Sequence, residues 1–379
     1  MHRGLDTDRE IDIAIVGAGP AGLMAAIVAS RAGASVMLLE GQSWAGGRLA
    51  LQTQPLQGLA SIYQGRSGVE FCRELIDKAT SAGVEIILNS AVTDLRAASS
   101  EPHRFDLTHA SNEGKSESCR ARVVVLAVGS QEPWIDFPGS TLRGVMLSGD
   151  AQEMLNVRGV LPGKRVLMVG SDNAGLLIAA NLLDAGADVV AVVDESSRII
   201  GREVNAAPLR DAGVEVLTSS KLVAAHGENA VEAVTVDVSG AGRTFDVDTI
   251  CLAGPRATES KLAALVGCSL HDISIMGGHV PAHNRRMATP VPGLYVCGDT
   301  AGVENGAVSL ESGRLSGLWA AAELGHTHPQ AEAQERLARG RLGYMRRGHR
   351  GLMRRKAKAS LASEYLQTER QKRQATPSP

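Results

Sequence analysis

Two hydrophobic periods alternate along the chain. Ile11, Ile13, Ala14, Ile15 and Val16 form a short unbroken apolar run, as expected of a strand covered on both faces. A small-residue helix follows, then a second run, Ala34-Ser35-Val36-Met37-Leu38-Leu39, ending on Glu40. The order returns later: strand Arg165-Val166-Leu167-Met168-Val169, a helix through Leu183, and strand Ala187 to Val193 ending at Asp194. The chain therefore carries an internal repeat of a strand–helix–strand unit. A helix reads from Gly68 to Ser81, with Phe71, Cys72, Leu75, Ile76 and Ala79 on one face. Further strand runs lie at Val84–Leu88, Phe105–His109, Arg122–Leu126, Val214–Leu217, Ala233–Val238, Thr249–Leu252 and Leu294–Val296. Gln52 to Arg66 is polar and irregular, and Ser111 to Arg120 is a polar, hairpin-like excursion. Pro133-Trp134 and Pro138-Gly139 mark a loop, and the chain from there to about Asn156 reads as a connector with a short helix. A long small-residue helix runs from Ala307 through Leu324.

The junction between the first strand and its helix is Gly17-Ala18-Gly19-Pro20-Ala21-Gly22, a G-x-G-x-x-G turn in its proper setting. Gly17 permits the tight turn, Gly19 lets a pyrophosphate approach the backbone, and Gly22 lets the helix pack close to the strand. Helix amides and the macrodipole favour phosphate there, and Glu40 is placed to accept hydrogen bonds from ribose hydroxyls. This turn predicts dinucleotide binding. The repeat carries Gly170-Ser171-Asp172-Asn173-Ala174-Gly175, with Asp194 where Glu40 stands in the first copy. The fold class is α/β, with two Rossmann-like dinucleotide-binding domains.

Composition narrows the partners. The 379 residues carry a net charge of −2, which argues against nucleic acid as the principal partner. Charge is uneven: residues 1–330 hold 26 basic and 37 acidic groups, and residues 331–379 hold 13 and 4. Ile11 to Ala29 is apolar enough to imitate a membrane span, but the glycine-rich turn interrupts it. Met1 to Glu10, polar and mixed in charge, does not read as a secretory leader. The five cysteines are scattered, Cys251 and Cys268 being nearest at 17 positions, so no C-x-x-C pair, zinc spacing or iron–sulfur spacing is present and no metal site is expected. A reduced, cytoplasmic protein is expected. Without a G-x-S-x-G elbow, H-E-x-x-H or G-K-[ST] loop, hydrolase, zinc-protease and P-loop readings fail.

Four elements in this order resemble the two-dinucleotide-fold flavoprotein oxidoreductases, the superfamily of glutathione and thioredoxin reductases. They are the Gly17/Gly19/Gly22 turn with Glu40, the strand end Ala127-Val128-Gly129, the repeat at Gly170, and Cys297-Gly298-Asp299. The resemblance spans about Ile11 to Gly325. It implies that the first fold binds FAD, that the second is inserted into it and is of NAD(P)H type, and that the chain then returns to complete the FAD site. Gly46-Gly47-Arg48, Phe137-Pro138-Gly139 with Gly144-Val145, Gly277-Gly278-His279-Val280-Pro281 and Gly298 through Glu304 look closest to alpha-type FAD subunits of dye-linked amino-acid and opine dehydrogenases and of sarcosine oxidase. By the same resemblance, Asp299 would hold the ribityl or pyrophosphate region. The implied domain bounds are 1–155 for the first part of the FAD domain, 156–275 for the inserted domain, 276–328 for the return segment and 329–379 for the basic tail.

The expected FAD residues are thus Gly17, Gly19, Pro20, Ala21, Gly22, Glu40, Gly47, Arg48, Ala127, Gly129, Gly298 and Asp299; Gly170, Gly175 and Asp194 form the candidate NAD(H) site. Asp172 sits where the second turn should approach a pyrophosphate, adding bulk and negative charge. If a nicotinamide cofactor binds, Asp194 favours NADH over NADPH. Cys297 reads either as a reactive thiol or as a small buried hydrophobe. His279 and His283 read as loop histidines, near the flavin, at a subunit contact or on the surface; no residue stands out as catalytic acid or base. The tail from Arg336 to Arg373 admits three readings: a basic amphipathic segment docking on an acidic partner, an attachment to an anionic membrane surface, or a partly disordered solubilising tail. The function expected is FAD-dependent transfer of hydride or electrons between NAD(P)H or a small organic donor and an acceptor, as the alpha-type subunit of an amino-acid or amine dehydrogenase complex with a second flavoprotein subunit. The alternatives are a non-catalytic nucleotide-binding scaffold and a single-chain NADH-dependent reductase. The partners expected are a small-molecule substrate and other subunits, in an oligomer.

Overall fold

The computed structural model describes residues 10–56, 62, 65–98, 105–111 and 114–375, the last eight of these by helical backbone alone. The polar amino-terminal stretch, and part of the irregular segment between Gln52 and Arg66, lie outside the described residues. The chain divides into two compact units, Met1–Gln131 with Ala257–Pro379, and Glu132–Arg256.

The first unit is built on a seven-stranded sheet. Glu10–Val16 lies between Val36–Leu39 and Ser116–Leu126, all parallel, with Ile13 opposite Val36 and Val123, and Ile15 opposite Leu38 and Val125. Strand Ser116–Leu126 serves two partners. Its polar first half pairs antiparallel with Phe105–Ser111, from Ala110 opposite Ser116 to Phe105 opposite Ala121. Its apolar last three residues pair in parallel with Leu294–Val296, the strand that arrives from the far end of the chain. Val123, Val124, Val125 and Leu126 are wholly buried, which fits a strand covered on both faces.

Helix Pro20–Arg31 and the return helix Gly306–Glu323 pack backbone to backbone. A side chain at Gly313 would put its Cβ 2.1 Å from Ala21 O, and one at Gly317 2.3 Å from Ala25 O. The run of small residues in both helices is what permits this approach, and it sets the start of Pro20–Arg31 against the middle of the return helix. Helix Gly68–Ser81 begins with a capping box, Ser67 Oγ accepting from Glu70 N while the Glu70 carboxylate accepts from Ser67 N.

The second unit has a five-stranded parallel sheet ordered Glu215–Leu217, Asp188–Val193, Arg165–Val169, Thr249–Leu252, Val145–Leu147. An antiparallel meander of Ser220–His226, Ala233–Val238 and Ala241–Asp246 accompanies it. The units divide the chain at 131/132 and 256/257, whereas the sequence reading divides it at 155/156 and 275/276. The difference lies in the connector, where Val145–Leu147 and helix Ser148–Asn156 belong with the second sheet, and in Ala257–Thr258, which pairs with Ser130–Gln131 of the first unit.

The tail folds as two helices, Ala331–Met345 and Gly348–Ala375, with Ala338, Leu342 and Leu361 buried. That corrects the reading of a partly disordered tail over its described residues: Ala338, Leu342 and Leu361 dock the two helices, while Leu337, Tyr344, Leu352 and Met353 stay exposed. No helix among the described residues is long and apolar enough to cross a membrane.

Candidate functional site

The first turn has the shape its glycines predict. Gly17 takes φ +102°, and a Cβ there would lie 2.4 Å from Ala127 O, so the turn presses on the neighbouring strand end. At Gly22 a Cβ would stand 1.9 Å from Gly17 O. Gly19 differs: its backbone is extended and nothing lies within 4 Å of the position its side chain would take. It is the N-cap of helix Pro20–Arg31, which begins with proline and has no side-chain cap. A helix start without an internal acceptor, opening on free space, is a seat for an anion.

Around that seat the other expected residues gather. Glu40 Oε2 accepts from Ala18 N at 2.7 Å and Oε1 from Gln42 N at 2.9 Å, fixing the carboxylate at the mouth of the turn. Gly46 N donates to Ala18 O at 2.8 Å and Gly47 packs over Gly19, where a Cβ would sit 3.1 Å from the Gly19 Cα. Arg48 is half-buried on the short helix Gly47–Leu51. From the return segment, Gly298 packs on Ala21, and a Cβ there would come within 2.8 Å of the alanine's own. Asp299 Oδ2 accepts from Ser130 Oγ at 2.8 Å and Gly129 N donates to Thr300 Oγ1 at 2.8 Å, joining the return loop to the strand end. All twelve expected residues lie within the first unit.

The candidate catalytic extras fare differently. Cys297 is buried, and burial pushes its thiol up to about 12, as it does for Cys72 and Cys251. A thiol held protonated this firmly is a packing residue. His279 is exposed on Gly278–Pro281, but His283 is 3% exposed, which corrects its reading as a surface-loop residue. Its Nδ1 lies 2.7 Å from Pro281 O, which can only accept, so Nδ1 carries the proton and Nε2 is an acceptor.

The second turn repeats the first, with one change. Gly170 takes φ +102°, and a Cβ there would lie 1.9 Å from Ala253 O; at Gly175 it would lie 2.3 Å from Gly170 O. Asp194 Oδ2 accepts from Ser171 N and Oγ at 2.7 Å, and Oδ1 from Ser196 N at 2.8 Å. Burial opposes the charge of Asp194, but these hydrogen bonds outweigh it and hold the carboxyl below its ordinary range. Gly201 N donates to Ser171 O at 2.8 Å, as Gly46 does to Ala18. The change is at the helix start. Asp172 folds its carboxylate back, Oδ1 accepting from Gly175 N at 2.8 Å. The seat that is open at Gly19 is filled here by the protein's own anion. Opposite it, Arg202 N and Asn205 Nδ2 both donate to Asn173 Oδ1, at 2.8 and 2.9 Å, tying the next loop down over the turn.

A family model for pyridine nucleotide-disulphide oxidoreductases matches residues 11–323. The chain belongs to that family. It is an FAD-dependent oxidoreductase by membership, and the first turn fits the cofactor: a Cβ-free space at an uncapped helix start, with two fixed carboxylates beside it. The chain is 28% identical over 337 residues to one of the subunits of the opine oxidase of Agrobacterium tumefaciens (strain Ach5), covering 83% of this chain and 66% of that one. It is 28% identical over 296 residues to the sarcosine oxidase alpha subunit of Rhizobium meliloti (strain 1021), covering 70% of this chain and 28% of that one. The chain thus spans less than two thirds of the length of either relative. Among solved structures, T. acidophilum thioredoxin reductase superposes with a TM-score of 0.70 at 20% identity, covering 84% of this chain and 99% of that one. At that identity the likeness shows the fold, two dinucleotide-binding domains with one inserted in the other.

Proposed function

We propose that this chain is the FAD-carrying, alpha-type subunit of a complex that oxidises a small amino-acid or secondary-amine substrate, its partner being a second flavoprotein subunit. The observation that carries this reading is the contrast between the turns: an open anion seat in the first unit and a self-filled one in the second. It favours FAD as the resident cofactor and a small organic donor, rather than NADH, as the source of electrons. The named subunits among the relatives support the partner.

In this reading the amides at Gly17–Gly22 hold the pyrophosphate, Glu40 the ribose hydroxyls and Asp299 the ribityl region. When bound, FAD supplies the two-electron acceptor chemistry. The chain's own residues position it: Gly19 admits the phosphates, Gly129 and Thr300 fix the strand end to the return loop, and the small-residue contact of Gly313 with Ala21 holds the first helix start against the return helix.

The test is to purify the chain, record its flavin spectrum, and add NADH or NADPH without oxygen. A bound flavin that stays oxidised, and is reduced only once an amine substrate and the partner subunit are added, is the expected result. Rapid bleaching by NADH alone would replace this reading with a single-chain NADH-dependent reductase. Flavin that never accepts electrons in the assembled complex would make the chain a scaffold.

A further inference from the structure

We propose that the carboxy-terminal helices clamp the loop that carries Asp299, so that FAD retention depends on two tail cations, Arg346 and Lys358. The inference rests on the assignment of Asp299 to FAD.

The loop runs from Asp299 to Glu304, between the last sheet strand and the return helix, and begins within a short 3-10 helix, Gly298–Ala301. Gly302 N donates to Asp299 O and Val303 N to Met276 O. Glu304 N donates to Asp299 Oδ1 at 3.3 Å, so the backbone at 304 touches the carboxylate at 299. The Glu304 side chain points inward and is 3% exposed. Its carboxylate is held in a two-pronged contact by Arg346, Nη2 to Oε1 at 2.6 Å and Nε to Oε2 at 3.0 Å. That is the fork geometry in which guanidinium fixes orientation as well as charge.

Twelve residues further on, the second cation reaches the same loop from the next helix. Lys358 is half-buried, and its Nζ donates to Ala301 O and, at 3.0 Å, to His283 Nε2. The imidazole accepts because Pro281 O holds its proton on Nδ1. Below Lys358, Leu361 packs with Met276 and Val280 in a small cluster of its own, and Ala357 joins it. The last helix therefore has an apolar anchor and a polar contact, both on residues that flank the loop. A third cation, Arg341, pairs with buried Glu311 on the return helix at 2.8 Å, away from the loop.

A strongly basic segment is ordinarily a solvated or partner-binding face. Here three of its cations are spent inside the unit, and two of them grip one short loop at separate points. Loss of either grip lets the Asp299 carboxylate move with the Glu304 peptide that touches it. Because coupling between two sites is reciprocal, a tail that steadies the FAD loop is itself steadied when FAD binds.

Two measurements test this on the full chain. In the first, apoprotein is titrated with FAD by fluorescence for the wild type, Lys358→Met, the paired variant Arg346→Met with Glu304→Gln, and Arg341→Met as the control that loosens the tail without touching the loop. The expected result is a rise in Kd of about 5- to 150-fold for the first two variants, the range of coupling between linked sites, and little change for Arg341→Met. Equal retention of FAD by Lys358→Met and the wild type overturns the proposal, and so does an equal loss in Arg341→Met. The second uses only wild type, in case a variant does not fold: hydrogen exchange of backbone amides in 346–361 with and without FAD. Slower exchange on adding FAD is expected, and identical exchange overturns the clamp. A wild-type chain that binds no FAD at all would instead remove the assignment of Asp299.

Discussion

Replacing Asp172 separates its two effects on the second turn. Its carboxylate accepts from Gly175 N at 2.8 Å, so a phosphate taking hydrogen bonds from the same helix start would lie about 4 Å from a unit negative charge. Two such charges repel by about 4 kcal/mol at an effective dielectric near 20, and by about 1 kcal/mol in water. Asp172 is half-buried, so the repulsion falls between these limits, equivalent to about 5-fold to about 1,000-fold in Kd. Asp172→Asn keeps a good N-cap and removes only the charge; Asp172→Gly removes charge and bulk at a cost in helix stability of a few tenths of a kcal/mol. The assay is an anaerobic titration of the purified chain with NADH, read by protein and nicotinamide fluorescence. The asparagine variant should bind NADH at least about fivefold more tightly than the wild type, and the glycine variant more tightly again. Identical affinities across the three proteins would show that the carboxylate does not guard the seat. Micromolar NADH binding by the wild type would show the same.

The two glycines of the first turn should part company. Gly19→Ala meets nothing within 4 Å, so its melting temperature should stay near wild type while FAD affinity falls by about tenfold or more, roughly 1.4 kcal/mol. Gly22→Ala would force a Cβ to 1.9 Å from Gly17 O and should destabilise the fold itself, by at least about 1–3 kcal/mol, measured in denaturant. Lys358 gives a pH signature: burial first, with Arg346 adding to it, pulls its ammonium down to about 7 against the opposing pull of Glu304 and Asp299. Between about pH 7 and the ordinary lysine value near 10.4 the unfolded chain binds more protons than the folded one, so this group makes stability rise with pH over that window. Lys358→Met should flatten that rise in apoprotein melts, and an unchanged slope would refute the assignment. Finally, burial raises the thiols of Cys72, Cys251 and Cys297 to about 12 and Cys119 to about 11, so iodoacetamide at about pH 8 should leave these four unlabelled in the native protein and label them after denaturation.

What the sequence makes legible is local. The Gly17–Gly22 turn, the apolar face of Gly68–Ser81 and the apolar run Val123–Leu126 each carry their structural reason within a few residues, and each folds as its residue types predict. Val145–Leu147 is different. Three residues offer no period to read, and the strand exists because Ile250 to Leu252 lies alongside it, about a hundred positions away. Helix Glu203–Asp211 is hidden by Pro208, which the fold accepts within a short helix. The tail misleads by composition, because Arg346 and Lys358 look solvated until Glu304 and Ala301 are brought to them. Asp172 lies between these cases. Its charge is visible in the sequence, but its direction is not; the preference of aspartate for helix N-caps was the signal available.

The two turns serve as controls for each other. Gly17 and Gly170 share φ +102°, Glu40 and Asp194 each take the amide of the residue after that glycine, and Gly46 and Gly201 each donate to that same residue's carbonyl at 2.8 Å. With the backbone frame and the acid held in common, a difference in what the turns bind has few places to reside. Two differences bear directly on the seat. One is the helix start, glycine at 19 and aspartate at 172. The other is the residue after the tethering glycine, Gly47 with φ +52° against Arg202 with φ −86°. At 47 the chain comes so close to Gly19 that a Cβ would sit 3.1 Å from its Cα; at 202 the backbone is instead tied to Asn173. Under the proposed function, a repeat that keeps its frame while its seat is filled is expected, because the electrons would then come from a donor other than NADH.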